Sequence, residues 1–68
     1  MTGTITAVYT RKGYGFISLA GGGRDLFFHE TDLSDDLEFD EQLEQRRVQF
    51  EQTSGHKGER AGNIRAAD

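Results

Sequence analysis

Five short stretches rich in β-branched and aromatic residues, separated by glycine turns, follow one another within 68 residues. Thr2 to Thr10 carries Thr, Ile, Val and Tyr, a composition that favours strand over helix. Lys12-Gly13-Tyr14-Gly15 suits a turn leading into a second strand, Tyr14 to Leu19. Ala20-Gly21-Gly22-Gly23 is a flexible connection, and Asp25 to His29 a third strand. Arg47 to Thr53 alternates polar and apolar as a fourth; Ser54 to Gly58 is a turn; Arg60 to Ala66 is a fifth. Strands this short and this close leave a small barrel or sandwich as the fold class.

Between the third and fourth strands lies an acidic connecting segment, residues 30–46. It has room for a short helical turn near Thr31 to Leu33. Asp40 to Arg47 contains good helix formers but no apolar stripe at helical spacing, so it reads as connection with room for one helical turn. Its polar composition makes residues 34–46 the stretch expected to show disorder, if any does. The chain has no repeat and no sign of a second domain, so residues 1–68 read as one domain.

The net charge is −4, which taken alone argues against a polyanion partner. Its distribution changes that. Glu30, Asp32, Asp35, Asp36, Glu38, Asp40, Glu41 and Glu44 fall in one stretch without a Lys or Arg. The rest of the chain holds all eight bases against four acids, a local excess of +4. Local potential is what a polyanion meets. The chain has no Cys, so disulfides and thiolate zinc sites are excluded, and no cofactor or metal is expected. No apolar run approaches the roughly 20 residues of a membrane span, and the N-terminus lacks a signal pattern. A cytoplasmic, monomeric protein with no membrane and no small-molecule partner is expected. An enzyme is a poor reading: there is no Cys nucleophile, no serine motif and no defensible Ser-His-Asp spacing. Gly21-Gly22-Gly23 precedes no helix, so it is not a phosphate loop.

Side chains alternate across a strand. Tyr14 and Phe16 therefore point one way in the second strand, Gly15 and Ile17 the other. Phe27 and His29 point one way in the third, Leu26 and Phe28 the other. A small barrel has one interior, and Ile17, Leu26 and Phe28 share it naturally with Ile5, Val48, Phe50 and Ile64, with Leu33 closing an end. Tyr14, Phe16, Phe27 and His29 are then outside. The inverted assignment would bury the polar atoms of Tyr14 and His29, which would need partners. A ring cluster in water marks a binding site, and flat rings stack on nucleobases. The two glycines flanking Tyr14 have no side chains to screen the rings, so a ligand can come close.

At these residues the chain resembles the cold-shock domain family. Lys12-Gly13-Tyr14-Gly15-Phe16-Ile17 is similar to the family's first ribonucleoprotein motif, Asp25-Leu26-Phe27-Phe28-His29 to its second. The closing Gly58-Glu59-Arg60-Ala61-Gly62-Asn63-Ile64 fits as well, so the likeness runs from Gly3 to Ile64. It implies an all-β, five-stranded antiparallel OB-fold barrel that binds single-stranded RNA or DNA with little sequence preference. It also implies a role in keeping RNA unpaired, in transcription or translation. The RNA-recognition-motif fold shares the Lys-Gly-Tyr-Gly-Phe signature but places it after a helix in a longer chain, and here nothing helical precedes residue 12.

By resemblance the stacking residues are Tyr14, Phe16, Phe27 and His29, with Phe39 as a further ring, and Lys12 and Lys57 contact phosphate. Arg11 and Arg60 join them as backbone-attracting cations on the strength of their charge; His56 reads as an ordinary turn residue. The chain also departs from the family. Where the first strand usually reads Lys-Trp-Phe-Asn, this one reads Thr6-Ala7-Val8-Tyr9, without the cation, the indole and the phenyl ring. Tyr9 either restores part of the platform or packs against the barrel end. Glu30 stands where many bacterial members have Phe; a carboxylate there repels phosphate unless it accepts from a base amino group. A weaker binder with a shortened footprint is therefore expected. The alternative is an interaction module that keeps the barrel and has lost nucleic-acid binding, favoured by Ala7, Val8, Glu30 and the net charge.

Overall fold

The computed structural model describes residues 1–22, 25–55 and 58–67. Five strands form a closed barrel: β1 (Thr2–Tyr9), β2 (Tyr14–Leu19), β3 (Leu26–His29), β4 (Arg47–Gly55) and β5 (Gly58–Ala66). They stand in the order β1-β2-β3-β5-β4, with β1 and β4 pairing to complete the ring. Four pairings are antiparallel. The fifth, β3 with β5, is parallel and rests on a single register pair, Phe27 with Arg60. This is the expected five-stranded OB-type barrel. The last two strands run further toward each other than their composition indicated, to Gly55 and from Gly58.

The interior is the one anticipated from alternation. Ile5, Ile17, Leu26, Phe28, Val48, Phe50 and Ile64 are all buried, and Leu33 packs against them from the side. Ala61, Leu37 and Leu43 complete the core. The two leucines correct the expectation of disorder over residues 34–46. Acidic side chains there face water, while Leu37 and Leu43 reach the core and anchor the segment against the barrel. A 3-10 helix at Glu30–Asp32 and another at Glu41–Leu43 supply the short turns, each capped by a side chain that accepts from a backbone N–H. Between them Ser34 donates to Asp36, a bond that holds the Asp36 carboxyl below its ordinary range.

Two irregularities make the ring close. In β1 the register passes from Ile5 opposite Ile17 to Ala7 opposite Phe16, so Thr6 is an extra residue. Such a bulge reverses the alternation beyond it. Ile5 points in, yet Ala7 and Tyr9 then share the outer face and Val8 packs inward against the core. In β5 the pairing with β4 slips between Gln49 and Glu51. Asn63 takes φ 50° there, and its amide donates to Glu51 Oε2 at 2.6 Å. The slip lets both Ala61 and Ile64 face inward.

Gly15 is required by the interior. A Cβ on it would sit 2.8 Å from the Phe28 ring and closer still to the Ala7 carbonyl oxygen. Gly15→Ala is expected to destabilise the barrel by about 1–3 kcal/mol, through overpacking against Phe28. Leu43→Ala is expected to cost about 2–4 kcal/mol, because Leu43 is buried in the core. Thermal unfolding followed by circular dichroism checks both, and an unchanged midpoint for Leu43→Ala would mean the acidic segment is not anchored as described.

Candidate nucleic-acid interface

The outer face of β1, β2 and β3 carries a continuous cluster of rings. Cross-strand register sets Tyr9 opposite Tyr14, Tyr14 opposite His29, and Phe16 opposite Phe27. Ring centres of Tyr9 and Tyr14 are 5.1 Å apart, those of Tyr14 and Phe27 5.5 Å, and those of Phe16 and Phe27 6.1 Å. Phe16 meets Tyr9 and Tyr14 edge-on at 6.4 and 6.0 Å. Such tilted and edge-to-face pairs are what ring quadrupoles favour, and they brace each ring without hiding it. Tyr14, Phe16, Phe27 and His29 are half-buried, and Tyr9 is 45% exposed.

Tyr9 thus belongs to the platform and not to the barrel end. The bulge at Thr6 puts it there, which strict alternation from Ile5 would not have done. His29 is held by its own turn. Its Nδ1 accepts from the Thr31 N–H at 3.2 Å and lies 2.9 Å from Thr31 Oγ1, which leaves Nε2 as the neutral ring's donor. Phe39 stands apart. It packs edge-on against the core ring Phe28 at 6.3 Å, and among the described residues it meets none of the platform rings.

The glycines beside Tyr14 have other reasons than ligand access, a correction to the sequence reading. Gly15 faces the interior and makes room for Phe28. Gly13 adopts φ 79° in the turn, a conformation open to glycine at little cost, and the Glu30 carboxyl lies 3.4 Å from where its Cβ would be.

The cations fall at two ends. Arg11 and Lys12 are exposed in the turn after β1, where the Lys12 and Gly13 N–H groups both donate to the Tyr9 carbonyl. A shallow depression beside them is lined by Val8, Tyr9, Thr10, Arg11 and Lys12. At the other end Arg60 lies over Phe27, its guanidinium carbon 5.7 Å from the ring centre, and it is ion-paired to Asp32. Asp32 also accepts from the His29 N–H at 2.9 Å. The Asp32 pairing and the place of Arg60 against the platform were not read from the sequence, since nothing in residue spacing brings positions 32 and 60 together. Lys57 and His56 lie outside the described residues.

The acidic segment borders the rings at one edge. Its first members begin directly after His29, so Glu30 reaches Gly13 and Asp32 reaches Arg60 at the platform edge. Glu44 is spent on the first strand, accepting from the Val8 N–H at 3.3 Å. No helix among the described residues is long and apolar enough to cross a membrane.

Comparison with known proteins identifies the family. The family model described as the "cold-shock" DNA-binding domain matches residues 1–67. The chain is 42% identical over 65 residues to the cold shock-like protein CspA of Stigmatella aurantiaca, covering 96% of this chain and 94% of that one. It is 38% identical over 66 residues to the cold shock protein ScoF of Streptomyces coelicolor, covering 97% of each. With the cold shock-like protein CspB of Escherichia coli it shares 35% over 68 residues, all of this chain and 94% of the relative. A closed five-stranded barrel, a ring cluster on its first three strands and a family match along nearly the whole chain lead to one conclusion: this protein belongs to the cold-shock domain family, a family of nucleic-acid-binding proteins.

Proposed function

We propose that the protein binds single-stranded RNA or DNA by stacking bases on Tyr9, Tyr14, Phe16, Phe27 and His29. The observation that carries this is the unbroken run of partly exposed rings across three adjacent strands. Stacking tolerates any base, because every base has a π-face, so sequence preference from the platform itself is low. Duplex bases are already stacked on each other and offer the rings nothing. Arg11 and Lys12 attract the phosphates from one side, and Lys57 is a further phosphate contact on the strength of the family resemblance alone. Phe39 is an outlying contact and not part of the continuous platform. Rings are missing at positions 7 and 8, which shortens the footprint, and Tyr9 returns one of them. The protein acts as a monomer in the cytoplasm, holding RNA unpaired or regulating transcription or translation, with no catalytic step.

The second reading, a barrel that serves as an interaction module, draws support from the carboxylates of Glu30 and Asp32 at the platform edge. The two readings separate on oligonucleotide binding. Phe16→Ala and Phe27→Ala are each expected to weaken binding to single-stranded oligonucleotides by about 1–3 kcal/mol while the fold is kept. The chain has no Trp, so tyrosine emission reports directly on the platform. No binding by the parent protein favours the interaction module; unchanged affinity in both variants removes these rings from the binding site.

Affinity is also expected to fall with salt, and gently. Each phosphate contacted on a single strand contributes a slope of about −0.7 in log K against log salt. Arg11 and Lys12 together give about −1.4, and Lys57 adds about −0.7 more. Affinity independent of salt would remove the cations from the mechanism.

A further inference from the structure

Arg60 and Asp32 fit poorly into a phosphate-collecting role. Register places Arg60 opposite Phe27 where β5 joins β3, and the guanidinium comes to rest beside the ring. One of its terminal nitrogens donates to Asp32 Oδ2. That same oxygen accepts from the His29 N–H, so Asp32 is tied to its own turn and holds the cation in place. The Asp32 side chain is only 19% exposed, that of Arg60 41%. Two consequences follow. The charge of Arg60 is offset at contact distance, so it adds little to the field that draws a polyanion. Its orientation is set from two sides, by a carboxylate and by a ring face. Arg carries five N–H donors in a rigid fork, and the Asp32 bond uses one of them.

We infer that Arg60 reads the base stacked on Phe27 and selects guanine there, with Asp32 as the residue that positions it. The inference rests on the stacking reading above. A base on the part of the Phe27 ring that the guanidinium leaves open brings its edge beside the four N–H donors that Asp32 does not use. Guanine carries two adjacent acceptors, O6 and N7, which suit the fork. Adenine sets an amino donor beside N7, and thymine offers O4 next to a methyl group. Cytosine has adjacent acceptors on its pairing edge but a smaller ring to lay on Phe27. A phosphate at this point would have to draw Arg60 away from Asp32 and then face that carboxylate. The platform is thus unspecific along its length and selective at its β3 end.

The test is tyrosine-fluorescence titration with short oligothymidylates, plain or carrying one guanine, adenine or cytosine, at low and moderate salt. The parent protein is expected to favour the guanine strand about tenfold. Arg60→Gln and Arg60→Lys both lose that preference and keep their affinity for plain oligothymidylate. Asp32→Asn loses most of it, since the fork is no longer aimed; thermal unfolding shows whether that variant remains folded, and the two Arg60 variants decide the matter alone if it does not. The inference is overturned if Arg60→Lys keeps the preference or if adenine or cytosine is favoured. It is equally overturned if Arg60→Gln weakens every strand alike with a shallower salt slope, or if Asp32→Asn tightens binding to all strands. Plain oligothymidylate bound with no guanine preference overturns this inference and leaves the stacking reading standing. No binding of any strand by the parent protein overturns both.

Discussion

The Phe28 ring occupies the space that a side chain on Gly15 would need, and that contact fixes which way β2 and β3 face. With Phe28 inside, its neighbours Phe27 and His29 must be outside, because successive side chains on a strand point to opposite faces. With Gly15 inside, Tyr14 and Phe16 must be outside too. A barrel with a radius of gyration of 10.6 Å has room for one layer of large side chains, so the two sets cannot trade places without emptying the core. The exposed rings are the geometric complement of the packed ones. Their cost in exposed apolar surface is partly offset by the contacts they make with each other, from 5.1 to 6.4 Å between centres.

Charge is organised on the same frame. Net charge alone would keep this protein away from a polyanion, yet the acids are concentrated in one connection, much of it wrapped on the barrel by Leu37 and Leu43. Several carboxylates of that connection take part in specific contacts. Asp32 caps the turn after β3 and engages Arg60, and Glu44 satisfies the Val8 N–H in the part of β1 beyond the bulge. Glu30 lies against Gly13 at the platform edge, close to the turn that bears Arg11 and Lys12. Cations at one end of the rings and a compensated cation at the other give the face a direction, which a uniformly basic patch would lack.

Small barrels depend on their irregularities. The extra residue at Thr6 and the slip at Asn63 bend strands that would otherwise lie too flat to close. The first also shapes the outer face. It turns Tyr9 outward and Val8 inward, so a strand without the ring and cation pattern common in the family still adds a ring to the platform. Closure itself hangs on the short parallel junction between β3 and β5, where the backbone pairs at Phe27 and Arg60 and the Asp32–Arg60 ion pair ties the following turn to β5.

Local pattern by itself determined the strands, the turns and most of the core. β-branched and aromatic runs with glycine between them mark β1 to β3 almost to the residue, and period-two alternation sorts Ile17, Leu26 and Phe28 from Tyr14, Phe16, Phe27 and His29. These are properties of neighbouring residues, and they survive without knowledge of the rest of the chain. What only the tertiary structure decided involves residues far apart or a break in the period. Tyr9 needed the bulge, which has no signature in Thr6 itself. Leu37 and Leu43 are isolated apolar residues among acids, and only the barrel gives them something to pack on. Phe39 shows a ring to the sequence but spends one side of it on Phe28. Arg60 and Asp32 are separated by 27 residues of chain and meet because β5 closes beside β3. Alternation is a local rule and can be read along the chain; closure is a global one, and it chooses which distant side chains meet.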